Sequence, residues 1–441
     1  MTSTHARDRT TSGRDAPGAP TPLRPGAERE SGPSASASAS ASAVAAPRWA
    51  WILEPRTDSG ARDSGARVWG LDGVERLRRI LDRAGVPNVR SLPAEAPPPD
   101  RVDGPCAVLR GDQFYDERLV KGLLGGGPET VLAREAPGEG GGDWLAARIS
   151  GDRIGEVTEL LRACEVNGAS PLSEDLEPAL PVDVAPAYNP ELRKFDPPFV
   201  FPARSDAVLE SENRIFKASY KGLTDLVTKW VWPIPAREMV RVCARQGVSA
   251  NSITTLSWLM AALTVLLFVE GWFGLGLACG WMMTFLDTVD GKLARCTLTS
   301  SRLGHFFDHG LDLIHPPIWW VAFGIGLAPT WPGVEWVSGV IVVCYLVGRL
   351  LEGIFMLAFD MEIFLWRPFD GFFRQIISRR NPNLLLLTAG LLAGRPDVGF
   401  LAVAVWGVLS NAVHAVRLVQ AFAQRRRGEP VRAWYEVQEA A

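Results

Sequence analysis

Six apolar segments that follow residue 250 constrain the fold of this chain more than any other feature of its sequence. They occupy residues 253–269, 273–294, 304–327, 336–358, 375–394 and 399–422. A helix of about 20 mainly apolar residues crosses the hydrocarbon core of a bilayer, so we predict a polytopic, mainly α-helical membrane bundle of six helices at residues 249–425. The fifth segment spans only if it includes Arg379 and Arg380, because its plainly apolar part begins after Asn383.

Basic residues are concentrated in one set of the loops that flank these segments. They are Lys292, Arg295, Arg302, Arg367, Arg374, Arg379, Arg380 and the C-terminal run Arg425, Arg426 and Arg427. The opposite loops hold almost no basic residue beyond Arg395. Because basic loops stay on the cytoplasmic side, we predict a multi-pass protein of the cell membrane with both termini in the cytoplasm.

The rest of the chain divides by composition. Residues 1–46 are rich in Ser, Ala, Pro and Arg and lack the apolar run of a secretory signal, so they predict a disordered tail. Residues 47–175 alternate strand and helix patterns, which predicts a small soluble α/β domain with a mainly parallel, doubly wound sheet. Residues 176–248 predict a linker and an interfacial amphipathic helix, and residues 426–441 a cytoplasmic tail. The expected strands are 49–53, 88–92 and 106–109, and the expected helices are 73–84 and 118–124.

Charge and cysteine content exclude several classes of function. The net charge of −3 gives no general attraction to nucleic acid, so we expect no nucleic-acid partner. The six cysteines have no CxxC spacing, which argues against a zinc site or a disulfide framework.

Four aspartates lie within or beside the second and third apolar segments. Asp287 and Asp290 are three residues apart, and Asp308 and Asp312 are four apart, so each pair shares one face of a helix. Carboxylates in a membrane are costly and persist mainly where they face a cavity and serve a function. Two such pairs that face each other would form an oxygen-rich site for Mg²⁺ or Mn²⁺.

The pattern D-x2-D-G-x2-A-R-x8-G-x3-D-x3-D over residues 287–312 resembles the signature of the CDP-alcohol phosphatidyltransferase family at every fixed position. The resemblance implies a six-helix bundle that transfers a substituted phosphate group from a CDP-alcohol to an acceptor alcohol and releases CMP in phospholipid biosynthesis. CDP-diacylglycerol is the expected donor, and a soluble CDP-alcohol with a lipid acceptor is the alternative. A homodimer with a two-metal site is also implied.

The same resemblance assigns roles to the motif residues. Asp287, Asp290, Asp308 and Asp312 would bind the metals, and Asp312 would also be the general base for the acceptor hydroxyl. The nucleotide would contact three small residues, Gly291, Ala294 and Gly304, and the side chain of Arg295. Glycines alone favour helix packing, but their spacing from the aspartates favours a pocket.

Candidates for the acceptor site lie further along the chain. His315 shares a helix face with Asp308 and Asp312 and could contact the acceptor, although a structural role before Pro316 is equally compatible. Arg349, Arg379 and Arg380 would bind a phosphate on the acceptor. Snorkelling to the membrane surface is the alternative for Arg379 and Arg380, and pairing with Glu352 the alternative for Arg349.

The predicted α/β domain faintly resembles nucleotidyltransferase domains at residues 68–81 and 108–116. It lacks their Gly-rich phosphate loop, since residues 54–67 have no matching pattern, so we interpret it as a degenerate, inactive relative. Asp112 could be a surviving Mg²⁺ ligand, but a turn aspartate is the simpler interpretation.

Two other functions remain compatible with the sequence. The protein could be bifunctional, with an active cytidylyltransferase in the α/β domain. It could also be an ion or proton transporter that uses the intramembrane aspartates, although the Gly, Ala and Arg positions of the motif would then have no role.

Overall fold

The structure is a computed structural model of the chain. It describes residues 46–56, 66–138, 141–300 and 302–435, and only the backbone of residues 302–312. Residues 1–45 of the predicted disordered tail lie outside the described residues. Residues 57–65, which belong to the segment without a phosphate-loop pattern, and residues 436–441 of the predicted cytoplasmic tail lie outside them as well.

The first part of the described chain is an α/β domain around a six-stranded sheet. The strands of this sheet are β1 (Trp49–Leu53), β2 (Asn88–Leu92), β3 (Pro105–Arg110), β5 (Thr130–Ala133), β6 (Trp144–Ser150) and β7 (Glu177–Ala179), and β4 (Gln113–Tyr115) lies outside it. The helices of the domain are α1 (Gly73–Arg83), α2 (Glu117–Gly125) and α3 (Ile154–Asn167). The sheet order is β2-β1-β3-β6-β5-β7, and β6 runs antiparallel to both of its neighbours.

Alternation of side chains along the strands builds two cores. Ala50 and Ile52 face the cluster that includes residues of α1 and α2, whereas Trp51 and Leu53 face the cluster that includes residues of α3. Successive side chains of a strand point to opposite faces, so apolar residues at every position of β1 require a helix layer on each side. The predicted mainly parallel, doubly wound sheet is confirmed, with β6 as the antiparallel exception.

The region between the sheet and the bundle contains short elements. They are α4 (Pro181–Val184), β8 (Tyr188–Asn189), β9 (Lys194–Phe195), β10 (Val200–Pro202), α5 (Val208–Ala218), α6 (Leu226–Trp230) and α7 (Pro233–Gln246). β8 and β9 form a hairpin, and β10 pairs with β4 of the α/β domain. Pro233 begins α7, where a missing backbone N–H costs nothing.

Seven helices complete the fold. They are α8 (Ala250–Val269), α9 (Phe273–Cys296), α10 (Arg302–Leu327), α11 (Val334–Phe359), α12 (Pro368–Phe373), α13 (Arg380–Leu392) and α14 (Pro396–Arg426). α8 packs against α9 and α10, α11 packs against α10 and α14, and α13 packs against α9 and α14. Trp319, Phe323 and Phe400 are buried at the centre of the resulting bundle.

Three of the described helices are long and apolar enough to cross a membrane: α8, α11 and α14. Helices also occur at the other three predicted positions, but α9 carries the charged motif and α10 has a shorter apolar part at residues 313–327. α13 has 13 residues, fewer than predicted, and at 1.5 Å per residue it extends about 20 Å, less than the bilayer core of about 30 Å. The membrane character is therefore supported, whereas the count of six spans stays a prediction.

Candidate active site

The aspartate motif borders a large polar cavity. The cavity has a volume of about 580 Å³ and lies where α9, α10 and α11 meet the segments that precede α6 and α13. Asp287, Gly291 and Arg295 line it from α9, four residues apart along one helix face. The helical spacing predicted from the sequence therefore places these three motif residues on the same wall.

The first aspartate pair points in two directions. Asp287 lines the cavity and accepts a hydrogen bond from Arg380 Nη2 at 2.6 Å. Asp290 is buried and accepts one from Thr254 Oγ1 of α8, also at 2.6 Å. Both carboxylates thus receive strong donors, and Asp287 is the one that a ligand in the cavity can contact.

The glycine of the motif leaves space at the cavity. Among the described atoms, a Cβ atom at Gly291 would have only Arg295 Nη1 within 4 Å, at 3.7 Å, an ordinary contact distance. No described neighbour therefore requires glycine here, and this open space supports the predicted pocket. Arg295 donates a hydrogen bond from Nη1 to the Ser219 carbonyl at 3.4 Å, whereas Ala294 is half-buried and is absent from the described cavity lining.

The second half of the motif lies on α10. The side chains of Gly304, Asp308 and Asp312 fall outside the described part of the chain, so their predicted roles stay predictions. Leu313 and Pro316 of the same helix line the cavity. His315 is buried, with its ring edge-on to Trp319 at a centroid distance of 4.8 Å, and it is not among the described lining residues.

Two of the three predicted acceptor arginines bind one glutamate, and the third, Arg380, binds Asp287. Arg349 Nη2 donates to Glu352 at 2.8 Å, and Arg379 Nη2 donates to both oxygens of the same carboxylate at 2.7 Å. The pairing of Arg349 with Glu352, one of the two alternatives from the sequence, is present. All three arginines nevertheless line the cavity, and Arg380 joins this group to Asp287.

Several cavity residues were not predicted as site residues. They are Arg193 of the β8–β9 hairpin, Lys221 before α6, Lys292 of α9 and Arg374 after α12. Arg193 forms an ion pair with Glu362, and Lys292 lies over the Tyr220 ring at 3.9 Å. Lys292 lies within the motif segment, directly after Gly291, so its position was a signal that the sequence offered. No spacing rule links the other three positions to the motif.

The cavity contains guanidinium groups with unused donors. Arg349 Nε, Arg374 Nη1 and Arg379 Nε are buried and have no hydrogen-bond partner among the residues whose side chains the structure describes. Burial, with Arg379 nearby, lowers the pKa of Arg374 to about 9. Buried donors without partners are costly, and an anion that enters the cavity would satisfy them.

The balance of charge in the cavity favours anions. Its described lining includes eight lysine and arginine residues and four carboxylates. Low-dielectric walls strengthen such a field, and planar guanidinium groups suit the oxygens of phosphate. The cavity can therefore bind a ligand with more than one phosphate group.

The donor chemistry also fits a divalent cation in part. Asp287 presents carboxylate oxygen to the cavity and Asp290 lies one helical turn further, and oxygen ligands are those that Mg²⁺ and Mn²⁺ prefer. Among residues with described side chains, no three His, Cys, Asp or Glu residues gather into a metal site. A complete site would need the α10 aspartates, which lie outside that description.

Comparison with known proteins adds independent information. Residues 248–364 match the sequence family described as CDP-alcohol phosphatidyltransferase. Cholinephosphotransferase 1 of Danio rerio is 34% identical over 110 residues, which cover 23% of this chain and 29% of that protein. The chain therefore spans under a third of this curated relative. The family match does not reach the α/β domain, whose resemblance to nucleotidyltransferases stays a prediction.

Proposed function

We propose, on the premise that residues 248–364 belong to the CDP-alcohol phosphatidyltransferase family, that this chain transfers a substituted phosphate group from a CDP-alcohol to an acceptor hydroxyl and releases CMP. One observation carries the proposal: Asp287, Gly291 and Arg295 of the motif share a cavity with a cluster of arginines. The motif supplies a place for the donor, and the arginines supply a place for an anionic acceptor.

Metal ions would be held by the aspartates of the motif. Asp287 and Asp290 provide carboxylates on α9, and we assign Asp308 and Asp312 as the partners from α10. Bound Mg²⁺ or Mn²⁺ would neutralise the diphosphate oxygens of the donor. Arg380, which donates to Asp287 and lines the cavity, would lie beside the bound metal and contact the acceptor.

Asp312 is the proposed general base. It precedes Pro316 by four residues, so the two positions lie on one face of α10, and Pro316 lines the cavity. A carboxylate there would accept the proton of the acceptor hydroxyl as the oxygen attacks the phosphorus. Gly291, with Ala294 and Gly304 nearby in the motif, would leave room for the cytidine, and Arg295 would contact the nucleotide.

The charge of the cavity supports a phosphorylated acceptor. Arg349, Arg374 and Arg379 have buried donors with no partner among the described side chains, and a phosphate group would satisfy them. With the donor diphosphate at the aspartates, this second anion implies a polar alcohol phosphate as the acceptor. CDP-diacylglycerol would then be the donor, with its acyl chains in the bilayer. His315, which packs on Trp319, would support the bundle near the acceptor rather than touch it.

In a second candidate function, the lipid is the acceptor instead of the donor. The similarity to a protein named cholinephosphotransferase 1 supports a soluble CDP-alcohol as the donor and a lipid as the acceptor. Among the described lining residues, a cationic headgroup such as choline would, however, meet eight lysine and arginine side chains and four carboxylates. Asp308 and Asp312, which we assign to the same site, would reduce this cationic excess without cancelling it, so an anionic alcohol is the better electrostatic match.

The remaining predictions form part of the proposal. The basic loops favour a cytoplasmic position for both termini and for the cavity mouth. A homodimer is implied by the family resemblance. We do not favour a transporter, because the motif residues around the aspartates would have no function in it.

Transfer assays on the purified full-length protein in lipid vesicles test the proposal. CDP-diacylglycerol or CDP-choline would be supplied with Mg²⁺ and with inositol, inositol phosphate, glycerol phosphate or diacylglycerol. We expect Mg²⁺-dependent CMP release with CDP-diacylglycerol and an alcohol phosphate. Release only with CDP-choline and diacylglycerol would establish the second candidate, and no release with any pair would reject the proposed activity.

A further inference from the structure

The α/β domain contacts the bundle at the end of the helix that carries the first half of the motif. α9 ends at Cys296, directly after the motif segment 287–295, and eight residues, 296–303, separate Arg295 from Gly304, where the second half begins. The intervening turn therefore sets the distance and orientation between the two aspartate pairs. This turn packs on α1 of the α/β domain.

Two arginines of α1 bind the last carbonyls of this turn. Arg76 Nη1 donates to the Cys296 carbonyl and Arg79 Nη1 to the Thr297 carbonyl, both at 2.8 Å. Carbonyls at a helix C-terminus lack intrahelical donors and carry partial negative charge. Backbone N–H groups of residues 297–299 satisfy the three preceding carbonyls, so the arginines complete the cap.

Arg76 is built into the contact. Only 5% of its surface is exposed, and burial lowers its pKa to about 10, which still keeps it charged at neutral pH. A buried guanidinium needs acceptors, and the end of α9 supplies one 220 positions away in sequence. Arg78, by contrast, points away on the same helix and donates to Ser91 at 2.8 Å.

A leucine from the turn enters the core of the α/β domain. Leu298 is buried in the same cluster as Leu77, Ile80 and Leu81. Its φ of +56° is a left-handed conformation that a leucine adopts only where its surroundings hold it. Packing of Leu298 and capping by the arginines therefore fix this backbone together.

We propose that Arg76 and Leu298 are positioning residues of the active site, through which the α/β domain holds the turn between the two halves of the aspartate motif. The domain then acts on catalysis by geometry, without chemistry of its own. This inference rests on the proposed function for its effect on turnover, although the contact itself can be tested without it.

Two measurements on the full-length protein test the inference. The variants are Arg76→Met, which removes the donors, Arg76→Lys, which restores one, and Arg78→Met as the matched control on the same helix. The first measurement is the Mg²⁺ concentration for half-maximal CMP release. The second is amide hydrogen exchange of residues 297–312 relative to the rest of the bundle.

We expect Arg76→Met to raise the half-maximal Mg²⁺ concentration about tenfold, as loss of a charged hydrogen bond allows, and to accelerate exchange in the turn. Arg76→Lys should recover part of both effects, and Arg78→Met should match the wild type. Leu298→Ala should resemble Arg76→Met, because it removes the apolar anchor of the same turn.

Other outcomes overturn the inference. If Arg76→Met behaves as Arg78→Met in both measurements, the contact does not position the motif. If exchange rises uniformly over the chain and lysine gives no recovery, Arg76 only stabilises the fold. If the wild type releases no CMP, the proposed function fails, and hydrogen exchange alone then decides whether the turn is held.

Discussion

At the scale of single residues, the motif combines carboxylates that can bind a cation with a glycine whose missing side chain leaves space in the cavity. Asp287 lines the cavity, and its carboxylate accepts a hydrogen bond from the cationic Arg380. Asp290 accepts a hydrogen bond from Thr254 of the neighbouring helix α8. This difference implies that Asp287 is the more sensitive of the two to a change in its charge. Gly291, one turn further, exposes its backbone to the same cavity.

Replacement of Asp287 by asparagine should abolish transfer while the protein stays folded. The substitution keeps the shape but removes a charge that a divalent cation would need, so we expect kcat to fall at least about 100-fold. CMP release in vesicles measures the effect. Asp397→Asn, at an exposed ion pair with Arg395, is the matched control. Turnover by Asp287→Asn close to that of the control would remove the metal assignment.

Substitution of Gly291 by leucine should block the nucleotide without unfolding the helix. A Cβ atom there meets no described atom closer than 3.7 Å, and Gly291 lines the cavity, so the added side chain would extend into it. We expect the KM for the CDP-linked donor to rise about tenfold or more, because a loss of about 1.4 kcal/mol of binding free energy weakens affinity tenfold. Gly339→Leu, on the exposed side of α11, provides the control. Equal KM values for both variants would place the nucleotide elsewhere.

At the scale of elements, the sequence predicted the strands and helices that local patterns of apolar residues determine. The strands at 49–53 and 88–92 and the helix from residue 73 were predicted closely, because their local patterns of apolar residues mark them. The fifth segment was predicted at 375–394, whereas α13 begins at Arg380, because the polar residues before it were included to reach the length of a membrane span. Long-range contacts, such as Arg193 in the cavity, have no local signal.

The arginines beside α11 and α13 provide a prediction at this scale. Lysine cannot reproduce the paired contacts of a guanidinium group to phosphate. Arg349→Lys and Arg380→Lys should therefore raise the KM for a phosphorylated acceptor more than the KM for the donor. Steady-state kinetics with each substrate varied in turn measures this, with Arg417→Lys, in a bidentate pair with Asp370 away from the cavity, as control. Equal losses for both substrates would indicate a structural role.

At the scale of the whole molecule, the described residues of the α/β domain bear on the prediction that it is inactive. A cleft at the ends of β1 and β2 is lined by Glu54, Asp72 and Glu75, with Arg78 as its basic residue among those described. Asp112, which the sequence left open as a Mg²⁺ ligand, is buried in a bidentate pair with Arg110 at 3.0 and 2.7 Å. This favours the turn and structural interpretation of Asp112.

We therefore expect no nucleotidyl transfer by the α/β domain. Three acidic side chains would repel the triphosphate of CTP, and a carboxylate held by a buried guanidinium is not available to a metal. The full-length protein, incubated with CTP, Mg²⁺ and an alcohol phosphate, should release no pyrophosphate, while the same preparation releases CMP from its CDP-linked donor. Pyrophosphate release that depends on the alcohol phosphate would instead make the protein bifunctional. In that case the domain would supply the donor to the bundle, and its contact with α9 would link two reactions rather than support one.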